Sequence, residues 1–276
     1  MKLIISGAML IASAMSFQAM AHSSPVDLLE GIFTNEEQVY FDNLAERPAP
    51  DWFSIRIISD GDSFLIEKPD AFGVAKDKPS HFKVKQEGST TVLDYGLCKR
   101  LYRYEREAMI ATGIRGTCSA VGAITEITPY AITLTFPDGT TTQLRRARAV
   151  SCWVAIRKDK PKQDGSEDWF FDNNVHIHDQ GGRSLLGGGE TGSQQVMIRL
   201  RNVTWDKDST NAPVLALYIH KADNWEHAES YSWAAPDSER VGINLRWVQT
   251  GCSIDGATPP SKLSADKFTK QEEGKK

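Results

Sequence analysis

Residues 130–147, YAITLTFPDGTTTQLRRA, alternate Ile132, Leu134 and Phe136 with threonines, break at Pro137-Asp138-Gly139, and resume as a second extended run. Side chains on a strand point to opposite faces in turn, so this period of two fits a half-buried β-strand and not a helix. Pro, Asp and Gly supply a tight turn, and a β-hairpin is predicted. The same period recurs in WFSIRII (52–58), where Phe53, Ile55 and Ile57 alternate with Trp52, Ser54 and Arg56. It is less clean in CKRLYRYER (98–106), which sets Arg100, Tyr102 and Tyr104 on one face. Further strands are expected at 149–158, 195–205, 214–221 and 242–252. The Gly, Pro, Asn and Asp residues between them favour an antiparallel sandwich or barrel over βαβ units. One helix is expected near residue 30: Leu28, Leu29, Ile32 and Phe33 form an apolar stripe, and Asn35 can cap a further turn over residues 36–40.

The ends read differently from the middle. Met1-Lys2, an apolar run over residues 3–15 and Ala19-Met20-Ala21 form a secretory leader over residues 1–21. A periplasmic or secreted product is expected. No later apolar run approaches the ~20 residues of a membrane-spanning helix, so the chain is not expected to be transmembrane. Residues 259–276 are charged and poor in large apolar groups, which predicts a disordered tail. With no repeat or linker in sight, residues 22–258 are expected to form one β-domain. Loss of Lys2 from 32 basic residues leaves 31 against 36 acidic ones, a net charge of −5. That balance argues against a nucleic-acid partner. Cys98, Cys118, Cys152 and Cys252 read as two disulfides in an oxidising compartment. Three pairings are open, and the sequence-local Cys98–Cys118 is the expected one.

Few residues suggest chemistry. His176-x-His178 followed by Asp179 would converge on one side of a strand, as metal ligands do. Two exposed histidines on a polar strand give the same pattern, and both are expected to be metal-free. The glycine-rich run 179–192 lacks the ending of a phosphate loop and reads as a flexible connection between strands. No nucleophile elbow is present. What recurs is arginine beside aromatics: Trp52 and Arg56, then Arg100, Tyr102 and Tyr104. Facing a barrel lumen, they would stack on a flat ligand and pair with its carboxylates. Facing solvent, they would only pair across strands.

LLEGIFTNEEQVYFD followed by DWFSIRI and CKRLYRYER resembles the start of the CpcT/CpeT family of chromophore lyases. The matching residues are Gly31, Phe33, Asn35, Gln38, Arg56, Arg100, Tyr102 and Arg103. SCWVAIRK (151–158) and YSWAA (231–235) are similar to later segments of that family. The likeness is best over residues 27–106. It implies an all-β fold, a single calycin- or lipocalin-like antiparallel β-barrel, with a short N-terminal helix closing one end. It also implies a pocket for an open-chain tetrapyrrole, with Gln38, Arg56, Arg100, Tyr102 and Tyr104 as ligand-binding residues and no other cofactor required. The family attaches bilins to cysteines of phycobiliproteins in the cytoplasm, whereas this chain carries a leader, and its segment 157–195 has no counterpart there. The expected function is therefore an exported barrel binding a tetrapyrrole-like or other amphipathic small molecule, with a homodimer as its expected assembly. The alternatives are a true bilin lyase acting on an acceptor protein, or a structural envelope protein without a ligand.

Overall fold

The structure, a computed structural model, describes residues 24–118, 123–205 and 209–254. The expected leader and tail lie outside the described residues. Nine strands run as an antiparallel meander: β2 (Ser54–Asp60), β3 (Ser63–Glu67), β4 (Ser80–Glu87), β5 (Thr90–Asp94), β6 (Cys98–Glu105), β7 (Ala108–Gly116), β8 (Ala123–Ile127), β9 (Ala131–Thr135) and β10 (Thr141–Ala147). β1 (Gly31–Thr34) slots between β2 and β10, pairs antiparallel with both, and closes a ten-stranded barrel. One short helix, α1 (Glu36–Leu44), follows β1. The alternating pattern leaves an antiparallel sandwich or a barrel open; what forms over β1–β10 is an all-β closed barrel with, among the described residues, a single short α-helix.

Period two survives in detail. Ile55 and Ile57 enter the barrel core, and β9 and β10 form the expected hairpin with Gly139 in the left-handed region at φ 82°. The core is closely filled: Phe33, Ile57, Phe82, Leu93, Met109 and Ile132 are each at most 2% exposed. A helix through Leu28, Leu29, Ile32 and Phe33 does not form. Leu28 and Leu29 join the barrel core ahead of β1, and within β1 Phe33 points inward. Ile32, on the other face, lines a small cavity with His178 and Arg183. A stripe at i, i+1, i+4, i+5 arises equally from an apolar plug followed by a strand covered on both faces. Asn35 stands at the start of α1 without capping it. Its Nδ2 donates to the Asp51 carbonyl at 2.7 Å and its Oδ1 accepts from the Phe53 N–H at 2.7 Å, tying the 51–53 segment to the helix.

The barrel ends at residue 147, well short of the expected boundary at 258. Beyond it lie β11 (Ala149–Arg157), β12 (Trp169–His178), β13 (Gln180–Leu186), β14 (Val196–Val203), β15 (Val214–Lys221), β16 (Ser230–Ala234), β17 (Arg240–Asn244) and β18 (Val248–Ile254). They make two four-stranded sheets, β12-β11-β18-β17 and β13-β14-β15-β16, around a core of their own that includes Val154, Ile156, Ile198, Leu200, Leu217 and Val248. The expected strand 242–252 is really two strands, β17 and β18. The division was hidden because strands in barrel and sandwich share one period, and Arg148 alone separates β10 from β11. Arg148 is no loose linker. Its N–H and Nε donate to the Asp179 carboxylate at 2.7 and 2.6 Å, and its Nη2 donates to the Pro236 carbonyl at 2.6 Å.

Two disulfides form, Cys98–Cys118 at the barrel and Cys152–Cys252 between β11 and β18. Among the described residues no helix is long and apolar enough to cross a membrane. The disulfides fit an oxidising extracellular or periplasmic compartment.

Candidate functional site

The polar residues of the barrel wall do not meet in a lumen. Tyr102 and Tyr104 point inward as expected, yet Tyr102 is fully buried and its hydroxyl donates to the Ile124 carbonyl at 2.9 Å. Burial pushes its phenol well above the usual range, and that of neighbouring Tyr95 up to about 12. Arg100 shares their face of β6 and its charge partly offsets both shifts. Arg56 faces the other way. Its Nε donates to Glu67 at 2.6 Å across the β2–β3 pair, and its guanidinium lines the small cavity that also holds His176, His178 and Arg183. Arg56 therefore belongs to the seam between barrel and sandwich, and with apolar side chains filling the interior these four residues do not form one pocket.

The seam is built on charge. The outer face of sheet β13-β14-β15-β16 carries a cross-strand row Arg183–Arg199–Tyr218–Tyr231 and beside it Arg201–Ala216–Trp233. α1 lies over the arginine end. Arg201 donates from Nε to Glu37 Oε1 at 2.6 Å and from Nη2 to Oε2 at 2.9 Å, while the Tyr40 ring sits 3.6 Å from its guanidinium. Glu36 accepts from Arg183 and Arg199 through one carboxylate oxygen and from the Trp52 indole N–H at 2.6 Å through the other. Burial, with Arg183 nearby, lowers Arg199 to about 10. Gly181 makes the approach possible: at φ 86°, a Cβ there would come within 2.4 Å of the Glu36 side chain. The first half of the glycine-rich run is therefore strand, β13, shaped around a carboxylate, and residues 187–192 connect it to β14 as the composition suggests.

His176 and His178 do share one side of β12, as their spacing predicts. His176 Nε2 lies 3.0 Å from Asn174 Oδ1, and His178 Nδ1 accepts the Gln180 N–H at 3.3 Å. Asp179 is taken up by Arg148. Part of the His178 surface is accessible, but the ring is so packed round by protein that desolvation lowers its pKa to about 4, against the attraction of Asp179 and Glu36. The sign of the consequence follows. The unfolded chain binds this proton near pH 6.5 and the folded chain only near 4. Stability is therefore whole above 6.5 and falls as the pH drops through that window, by up to about 3 kcal/mol. In urea melts from pH 7 to 4, His178→Gln is expected to flatten the decline; an unchanged slope would assign the acid sensitivity elsewhere.

One open cavity lies on the far side of α1. A groove of about 490 Å³ runs between Gln38, Phe41 and Asp42 of the helix, Gln143 and Arg145 of β10, and Thr204 and Trp205 beyond β14. The Phe41 and Trp205 rings are 6.0 Å apart. Charges around it are spoken for, with Arg47 donating to Asp42 at 2.9 Å and Glu37 held by Arg201. The exception is Arg145, whose Nη1 donates to Thr204 Oγ1 at 2.9 Å and which has no carboxylate partner among the described residues. Of the sequence-predicted ligand residues only Gln38 reaches this groove. Phe41, Gln143, Arg145 and Trp205 come from three separate segments that share no motif, and the sequence singled out no pairing among them. Comparison of the whole chain with family models, with curated proteins and with solved structures finds no match.

Proposed function

We propose that the protein is an exported ligand-holding protein, and that its site is the groove between α1 and β10 rather than the barrel interior. The ligand class is a flat molecule bearing a carboxylate, a tetrapyrrole-like compound among them. The observation that carries this reading is the Arg145 guanidinium beside two aromatic rings in a groove of ligand-sized volume. Aromatic faces stack on a flat conjugated ligand, and an arginine lacking a carboxylate pairs with one that arrives. All four cysteines are in disulfides, so this chain offers no free thiol to a ligand in the groove. The protein's part is then to hold and orient. The lyase reading from the CpcT/CpeT resemblance adds an acceptor protein that brings its own thiol.

Titration with biliverdin, followed by visible absorbance and tryptophan quenching, tests the reading. Arg145→Ala should weaken binding by about 1.5–3 kcal/mol, the worth of a hydrogen-bonded charge. The melting temperature should hold, since Arg145 gives up a single side-chain hydrogen bond. Equal affinity in wild type and variant would remove the groove from the account. No binding of biliverdin or of a cyclic tetrapyrrole would favour the structural envelope reading.

A further inference from the structure

The sandwich has a second built surface, on the sheet that α1 does not cover. Three cross-strand rows cross the outer face of β12-β11-β18-β17. The middle row is Trp153–Gly251–Gly242, flanked by Ser151–Ser253–Arg240 on one side and Ala155–Gln249–Asn244 on the other. The β11–β12 register shifts between Cys152 and Val154, where two residues of β12, Asn173 and Asn174, stand against Trp153 alone, while on its other side Trp153 stays in unbroken register with Gly251 of β18. Its indole lies down over β18: a Cβ on Gly251 would fall 2.6, 3.0 and 3.2 Å from the indole Nε1, Cε2 and Cζ2. Gly242 is bare for a related reason, since a Cβ there would meet the Thr250 carbonyl at 2.9 Å. The Trp153 carbonyl accepts from Thr250 Oγ1 at 2.8 Å, and the Cys152–Cys252 bridge holds the two strands together behind the ring.

The result is a trough of about 410 Å³ with an indole and a glycine track as its floor. Arg240, Asn244, Gln249 and Ser253 line it, and among the described residues their side chains make no hydrogen bond or ion pair. Phe171, 59% exposed and with its ring 6.2 Å from Trp153, extends the apolar floor.

We propose that this trough binds a neutral carbohydrate chain, with one sugar ring lying on the Trp153 indole. The apolar C–H face of a pyranose fits a flat aromatic ring. Its rim of hydroxyls needs groups that both donate and accept, which the Asn244 and Gln249 amides and the Ser253 hydroxyl provide. A phosphate-bearing ligand would call for a cluster of cations, and the lining supplies Arg240 alone. β17 is an edge strand, so a polymer can run past the floor without meeting a wall. This site is separate from the groove at α1 and does not depend on it.

The test titrates the full chain with cellohexaose, chitohexaose, laminarihexaose and maltohexaose, read by tryptophan fluorescence and calorimetry. At least one should bind. Trp153→Ala and Gly251→Ala, the second by displacing the indole, should each weaken that binding roughly tenfold or more. Asn244→Ala and Gln249→Ala should weaken it several-fold with thermal unfolding unchanged, and Arg145→Ala should have no effect. The proposal is overturned if none of the four sugars binds. It is equally overturned if binding survives Trp153→Ala in a folded protein, or if the trough takes an oligonucleotide in place of every sugar.

Discussion

Arg201→Ala is expected to destabilise the folded protein by about 3–5 kcal/mol, the cost of stranding one partner of a buried ion pair. Arg201 and Glu37 are each 4% exposed in their side chains, and the two are joined by a two-pronged hydrogen bond. Without the guanidinium, the Glu37 carboxylate stays under the helix with no solvent to replace what it lost. The Tyr40 ring also loses the cation it covers. Replacing both partners, as in Glu37→Leu with Arg201→Leu, should cost much less, because no charge is left buried. A double-mutant cycle in urea separates the two effects. The pair also joins two cores, since Glu37 belongs to the barrel unit and Arg201 to the sandwich. The wild type is expected to unfold in one transition, and Arg201→Ala should split it into two. A loss below about 1 kcal/mol, the range of exposed pairs, would mean that water reaches this seam.

What the sequence disclosed follows from which interactions are local. In 52–58 and 130–147 each strand has one face in a core, so the period of two identifies the element and splits its residues into two sets. It does not say which set goes inside when both faces are covered. Arg56 illustrates the limit: its face of β2 is buried at the seam, 5% exposed, while the lumen takes Ile55 and Ile57. Period two sets Tyr102 and Tyr104 on one face of β6, but pattern alone cannot tell whether that face meets solvent or a lumen, or a lumen filled by side chains from an empty one. The seam itself was out of reach. Glu36 and Glu37 meet arginines 147 to 164 residues later, and no local spacing encodes such a meeting. Its one trace was the glycine run at 179–192, where Gly181 is bare because Glu36 occupies the space a side chain would need. Trp153 had a similar trace, a glycine at 251 directly across the β11–β18 pair.

Removing the Cys152–Cys252 bridge is the other change expected to be large. It joins residues 100 apart in sequence, against 20 for Cys98–Cys118. In the chain-entropy picture a 100-residue loop is worth about 4.7 kcal/mol and a loop of this shorter kind about 3, so the long bridge should matter more. Location adds to the difference. Cys152 and Cys252 are 3% and 1% exposed inside the sandwich core, where Cys→Ala also leaves unfilled volume, whereas Cys98 and Cys118 are only partly buried. The paired variant Cys152→Ala with Cys252→Ala should lose about 4–5 kcal/mol in urea melts, and Cys98→Ala with Cys118→Ala about 2–3. The long bridge also fixes the register that lays Trp153 on Gly251, so its loss should change the Trp153 fluorescence before the sandwich unfolds. If the two paired variants melt alike and the indole signal holds, loop entropy is not what this bridge contributes, and the β11–β18 hydrogen bonds alone keep the aromatic floor in place.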